Sequence, residues 1–169
     1  MSESNPVPHT TVLFTPNVPF ARMQEAMRVA EMVSRLPDAI FAPDLEPLMH
    51  HAAIECFFVH VRGLIEFLGL KVPKQSEFSA ADVHPTWVPP TDPARHARLQ
   101  ADWLNASRHV MHFSKERVKS ETGPAVDVPA DEASLRRMAD DVLFVWDELS
   151  DQIGDQGFCP KRANLSLWA

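Results

Sequence analysis

Apolar residues recur at steps of three and four in four separate segments of the chain. This spacing places them along one face of an α-helix and therefore predicts four principal helices. The first helix should begin near Pro19 and end at Pro37, because proline lacks the N–H that a continuing helix needs. Its predicted apolar face consists of Phe20, Met23, Met27, Ala30, Val33 and Leu36.

The second segment is apolar on nearly all sides, which predicts a helix in a central position. Asp44 is its predicted N-cap, and Pro47 is tolerated in the first turn. Gly69 is suited to the left-handed conformation that commonly follows a helix, so the helix should end just before it.

The third and fourth helices have clear start signals. Asp92 followed by Pro93 is an N-cap with proline at the first helical position, and this helix should continue to about Glu121. The fourth should begin near Asp131 and end before Gly154. Its apolar stripe is Leu135, Met138, Val142, Val145, Leu149 and Ile153.

Together these segments predict one all-α domain over residues 1–169, an up-and-down bundle in which the second and third helices are central and adjacent. Residues 1–18 should form an extended N-terminal arm, and 70–91 a long Pro-rich loop held to the core by Phe78, Val83 and Trp87. Residues 155–169 should form an irregular tail that docks against the bundle or a second subunit.

Composition narrows the functional classes. Apolar residues make up 45 %, enough for a packed core, and the net charge of −7 argues against a dedicated nucleic-acid binder. Cys56 and Cys159 form no disulfide framework or metal-type spacing. Neither a signal peptide nor an apolar run of membrane-spanning length is visible, so we expect a cytoplasmic protein that does not contact membranes.

Polar side chains of the second helix fall in one sector of roughly 60°. Arg62 and Glu66 are one turn apart and should pair. The stripe lies either on the surface or in a cleft or dimer interface, and so little of the helix is left for solvent that the second interpretation is favoured. The apolar wrap also predicts a homodimer. The predicted binding residues are Glu55, Arg62 and Glu66, with His51 on the same stripe.

A second polar stripe follows the third helix and should face the first. Histidine can act as a general acid or base near neutral pH, and an arginine one turn away can stabilise charge on a phosphate. Arg108 and His112 are therefore the candidate catalytic pair, with Asn105 or His109 orienting the phosphate. The whole stripe is Arg98, Asp102, Asn105, His109, His112 and Glu116.

The segments "AIECFFVHVRGLIEFL" and "HFSKERV" resemble a family of uncharacterised bacterial helical proteins, over roughly residues 45–120. More distantly, the chain is similar to HEPN domains. That resemblance implies a helical bundle that often dimerises and, in many members, a metal-independent ribonuclease whose arginine and histidine are separated by four to six residues. Three residues separate Arg108 from His112. The positions that match the pattern of the bacterial helical family are Glu55, Phe57, His60, Arg62, Leu64, Phe67, His112, Phe113, Ser114 and Arg117.

Three hypotheses follow. The favoured one is a non-catalytic interaction or regulatory module without cofactor, which binds a second copy or another protein. A ribonuclease or nucleotide-binding protein is the first alternative, with RNA disfavoured as a ligand by the net charge. The second is a metal site formed by two His/Glu pairs at i,i+4 spacing on facing helices: His51, Glu55, His112 and Glu116.

Overall fold

The computed structural model describes residues 18–71, 78–89, 92–111, 131–154 and 159–165, and side chains from position 21 onward except those of 109–111. All regular elements in these ranges are helical, so the all-α class is confirmed. The helices are α1 (Val18–Ile40), α2 (Pro47–Phe67), the short α3 (Ala80–Val83), α4 (Pro93–Met111) and α5 (Glu132–Ile153), followed by a single 3₁₀ turn at Arg162–Asn164.

The long helices alternate in direction, as expected for an up-and-down bundle. On α4 and α5, Arg98 contacts Asp141 whereas the later Asp102 contacts the earlier Arg137, so these two helices are antiparallel. Near the end of α1, Asp38 pairs with Arg136 near the start of α5. A short turn joins α1 to α2, which packs against α1, α4 and α5.

The core is built mainly on α2 and α5. The aromatic rings of Phe57 and Phe58 on α2 and of Trp146 on α5 are fully buried. α4 is less central than expected, because Leu99 and Ala106 are its only buried apolar side chains among those described. α4 is therefore attached to the bundle by other kinds of contact.

The N-cap of α2 is Glu46, two residues after the predicted cap Asp44. The side chain of Glu46, not Asp44, accepts hydrogen bonds from the backbone N–H groups of Leu48 and Met49 at 3.0 and 3.2 Å. Both carboxylates precede Pro47, but only Glu46 directly adjoins the first helical residue and so reaches the unpaired amides.

The end of α2 matches the prediction. Gly69 has φ +72°, and its N–H bonds the carbonyl of Glu66, while the N–H of Leu70 bonds that of Ile65. These two bonds are the Schellman arrangement that closes a helix with glycine in the left-handed region.

The prediction that Pro37 ends α1 is wrong, since the helix continues to Ile40 with Pro37 inside it. A proline removes one hydrogen bond and restricts the residue before it, yet here only one further turn follows. The carbonyl of Pro37 still accepts a hydrogen bond from the N–H of Phe41 at 3.3 Å. The lost bond is confined to the last turn, where the core contact of Ile40 offsets it.

The predicted starts of the other two long helices are confirmed. Asp92 Oδ1 accepts from the N–H groups of Ala94 and Arg95, and Asp131 Oδ1 accepts from that of Ser134. α5 ends at Gly154, whose φ is +70°. The predicted end of the third helix near Glu121 and almost all of the N-terminal arm lie outside the described residues.

The loop after α2 is held against the core by an indole. Trp87 is buried, and its Nε1 donates to the carbonyl of Leu68 at 2.9 Å. Phe78 and Val83 are partly buried against the same core, so all three predicted anchors of the loop are confirmed.

The described part of the tail docks on α5. Trp146 Nε1 donates to the carbonyl of Pro160 at 2.8 Å, and the hydroxyl of Ser150 donates to that of Cys159. Arg162 binds both oxygens of Asp147, through its backbone N–H at 2.8 Å and its Nε at 2.6 Å. Docking against the bundle is thus confirmed for residues 159–165.

In the part of the chain that the structure describes, no helix combines the length and the apolar character needed to cross a bilayer.

Candidate functional site

The predicted pair on α2 is present and has an aromatic neighbour on α4. Arg62 Nε lies 3.1 Å from Glu66 Oε1, and Trp103 Nε1 donates to the same oxygen at 2.9 Å. The Arg62 guanidinium lies 5.2 Å from the centre of the Trp103 ring, and the Lys71 ammonium also lies over that ring. Trp103 was not among the predicted site residues.

These contacts fix α4 on α2. An indole N–H that enters a helix interface needs an acceptor, and Glu66 provides it. Cations over the ring add an attraction of about 0.5–1 kcal/mol at exposed sites. Because Arg62 and Glu66 remain 24 % and 27 % exposed, the ion pair itself contributes little. The group acts as an interhelical clasp.

The polar stripe on α4 turns toward α5 instead. Arg98 binds Asp141 through Nε at 2.7 Å and through a terminal nitrogen at 2.8 Å. Asp102, 2 % exposed, receives two bonds from Arg137 at 2.8 and 3.0 Å. The expectation that the polar stripes of α2 and α4 face one another is therefore wrong for Arg98 and Asp102. The oppositely charged side chains that bind these two residues lie on α5.

The α4–α5 junction changes the acidity of its members. The hydrogen bonds from Arg98 and the nearby positive charges of Arg98 and Arg137 lower the pKa of Asp141, against the opposing effect of burial. The hydrogen bond to Asp102 raises the pKa of Arg137. The Asp141 carboxylate therefore stays ionised near neutral pH, and the junction is a charged clamp.

The two predicted catalytic side chains that the structure describes, those of Asn105 and Arg108, lie away from the clasp. Asn105 is two positions after Trp103, about 200° around the helix, so it occupies the opposite flank of α4. Asn105 is half-buried and Arg108 is exposed. The side chain of His109 and the whole of His112 lie outside the described residues, so a catalytic role for this group stays a prediction.

The alternative metal set is represented only by His51 and Glu55, both exposed on α2, since His112 and Glu116 are outside the described ranges. Among described residues, no group of three or more His, Cys, Asp or Glu side chains is placed to hold an ion.

A second titratable group lies between α1 and α2. Burial is the main cause that lowers the pKa of His60, with a further contribution from Arg28, and burial also raises the pKa of the Cys56 thiol. A protonated thiol is a poor nucleophile. This group therefore lacks the acidity pattern of an activated cysteine.

A regular row of side chains on α2, which we call the outer strip, is exposed at its first four positions and partly exposed at its last two. Its positions are four, three, four, three and four residues apart, the heptad spacing of a helix that pairs with another helix. Leu48 is 72 % and Val59 is 47 % exposed. The outer strip consists of Leu48, Ala52, Glu55, Val59, Arg62 and Glu66.

This strip corrects the sequence-based view of α2. Leu48, Ala52 and Val59 were not among the predicted binding residues, yet they share the face of the polar stripe and are exposed. The heptad spacing was visible in the sequence, but the same positions also fit an ordinary buried helix. Only the placement of α1, α4 and α5 reveals which side is left uncovered.

Neither a family model nor a curated protein nor a solved structure matches the chain. The resemblances to the bacterial helical family and to HEPN domains accordingly stay predictions.

Proposed function

We propose that this chain is a non-catalytic helical interaction module that docks a protein partner on the outer strip of α2. The observation that carries the proposal is the heptad row on α2, whose first four positions, from Leu48 to Val59, are exposed, while Arg62 and Glu66 are partly exposed beside the clasp. Partner helices bind through this kind of periodic row.

Exposed apolar side chains occur singly on most protein surfaces and need no special explanation. The arrangement on α2 differs in its regularity. Met49, also 55 % exposed, adjoins Leu48 at the start of the same helix. Covering apolar surface contributes about 25 cal/mol per Å², so a partner helix along this row gains free energy at several points.

Two charged groups on the described part of α4 have a structural role. Arg98 and Asp102 both take part in bidentate contacts with α5. Groups held in this way are not available to bind a phosphate without breaking the junction. Arg98 and Asp102 therefore serve to position the helix.

Photo-crosslinking tests the docking surface. A photoreactive residue in place of Val59 should give adducts with protein in an extract of the source cells or in the purified protein alone. The same residue in place of Ala101, exposed on α4 about 200° around that helix from Trp103, is the matched control. Absence of adducts specific to position 59 would overturn the proposal.

An RNA-cleavage assay in the presence of chelator tests the catalytic alternative. The interaction module predicts no cleavage by the wild type above the level of His112→Ala. Cleavage that persists in chelator, leaves a 2′,3′-cyclic phosphate and disappears in folded His112→Ala would overturn the non-catalytic assignment. Stoichiometric metal by elemental analysis, with loss of the fold or of binding on its removal, would favour the metal site instead.

A further inference from the structure

The charged residues of the outer strip are complementary to those of a second, antiparallel copy of the strip. Reading along α2, an acidic residue, Glu55, precedes Val59, and a basic residue, Arg62, follows it. A second copy that runs antiparallel presents the same order backwards. We infer that the partner of the outer strip is a second copy of this chain, paired antiparallel α2 to α2 about a two-fold axis at Val59; this inference rests on the proposed function.

The register follows from charge. With Val59 facing its own copy, Glu55 lies against the partner's Arg62, and the partner's Glu55 lies against Arg62, as a two-fold interface requires. Ala52 then faces the partner's Glu66, with His51 beside it. Opposite charges across an interface fix both register and partner choice.

The other simple arrangements are less favourable. A parallel pair places Glu55 against its own copy, and likewise Glu66, so like charges face each other. An antiparallel pair moved by about one helical turn in one direction sets Glu55 against the partner's Glu66. Juxtaposed like charges oppose association, so they act against this arrangement and against the parallel pair. The opposite shift sets Glu55 against the partner's Val59, where the carboxylate loses its opposite charge.

Gly63 gives an independent reason for close approach of another helix. A glycine inside a helix destabilises it by about 1 kcal/mol relative to alanine. A Cβ built at Gly63 would meet nothing within 4 Å, so packing within the chain does not require glycine there. The residue lies at the edge of the outer strip, next to Arg62, where the proposed pairing brings the partner's Glu55. Glycine removes the side chain at the point where the two helices come together.

The size of the contact sets the expected affinity. From Leu48 to Glu66 the strip is about 27 Å long, at about 1.5 Å per residue. One helix on one helix buries less surface than the interfaces of permanent dimers. We therefore expect reversible association with a dissociation constant in the micromolar range.

Sedimentation equilibrium on charge-reversed variants tests the two-fold arrangement. Glu55→Arg and Arg62→Glu should each weaken self-association at least tenfold, because each places like charges together twice. Mixed in equal amounts, the two variants should form a heterodimer about as tightly as the wild type, since every cross-axis pair is then opposite in charge. Circular dichroism and thermal unfolding check that each variant folds.

Two further variants keep the test decisive if Arg62→Glu fails to fold. Val59→Cys, in a chain with Cys56→Ala, should form an intermolecular disulfide on mild oxidation, whereas Ala101→Cys in the same background should not. Cys159 does not interfere, since burial raises its pKa to about 12. Gly63→Ala should raise the unfolding temperature of the monomer yet weaken association severalfold, two effects of opposite sign.

The outcomes separate this inference from the proposed function. A wild type that stays monomeric into the high micromolar range, or a dimer unaffected by Val59→Glu and by both charge reversals, overturns the self-pairing. If position 59 then crosslinks specifically to another protein, the interaction module stands without the dimer. If position 59 gives no specific adduct at all, both proposals fail.

Discussion

α2 and α4 are attached to the bundle by different interactions, α2 by apolar burial and α4 largely by ion pairs. The inner side of α2 is apolar, and its residues Phe57, Phe58 and Val61 have no measurable exposure. The described part of α4 buries few apolar side chains and is held by Asp102 and Asp141, with arginines at the edge of the junction. Apolar burial is non-directional and contributes most of the stability. Buried ion pairs add little net stability, but they demand both partners in one geometry, so they specify where α4 lies.

The largest expected loss of stability comes from a substitution in the apolar core contact of α2. Phe57→Ala removes a fully buried ring that packs edge-on against Phe58, with ring centres 5.9 Å apart. We expect the free energy of unfolding to fall by about 3–5 kcal/mol, by the same amount at pH 7 and pH 5, because no charge is involved. Urea unfolding of variant and wild type measures it. A loss below about 1 kcal/mol would contradict this account of the core.

Removing a carboxylate from the α4–α5 junction should lower the free energy of unfolding by a smaller amount. Asp141→Ala leaves Arg98 without its carboxylate and removes one contact from Arg137, and we expect a loss of about 2–3 kcal/mol at pH 7. Asp140→Ala is the matched control. Asp140 adjoins Asp141 in the sequence, but its carboxylate is 78 % exposed and makes only a long contact with Arg162. The control should change stability by less than about 0.5 kcal/mol. Equal effects of the two variants would contradict a special role for Asp141.

The contributions of Asp141 and Phe57 to stability should also depend differently on pH. Arginine contacts lower the pKa of Asp141 in the folded chain, so its contribution is complete above the ordinary aspartate pKa of about 3.9. The contribution declines as the pH falls below that value and through the lower folded pKa, where the carboxylate takes up a proton. The stability difference between the wild type and Asp141→Ala should therefore shrink between pH 5 and pH 3, whereas that of Phe57→Ala should not. Unfolding measured across this range decides the point.

The smallest expected effects concern the two indole hydrogen bonds to α2 and its C-cap, one in the loop anchor and one in the clasp. Trp87→Phe keeps an aromatic ring against the core but removes the N–H that donates to Leu68, leaving that carbonyl without this partner. We expect a loss of about 1–2 kcal/mol. Trp103→Phe, which removes the partly exposed bond to Glu66, should cost less. The reverse order would show that the clasp, not the loop anchor, is the more important indole contact.

Local signals in the sequence were enough for the helices themselves. Apolar spacing located all four long helices, and Asp92, Asp131, Gly69 and Gly154 mark their ends as predicted. Errors arose where two residues offered the same chemistry, as Asp44 and Glu46 do before α2. They also arose at Pro37, because the penalty for proline depends on how much helix follows it.

The candidate site was less accessible to sequence reasoning. A periodic pattern assigns a residue to a face of its helix but does not say which helix lies opposite. The Arg62–Glu66 pair was found because both members lie on one helix. The partners of Arg98 and Asp102 lie some 35 to 43 residues away on α5, and nothing local indicates them. The bond from Trp103 to Glu66 was missed for the same reason.

The tail contacts on α5 have a consequence for the order of synthesis. Helix α5 leaves the ribosome before residues 159–165, and until those residues follow, Trp146 and Ser150 lack the carbonyl groups that they bond in the finished fold. Buried donors without acceptors destabilise a compact state. These two donors of α5 are therefore satisfied as in the finished fold only after residues 159–165 have docked on the helix.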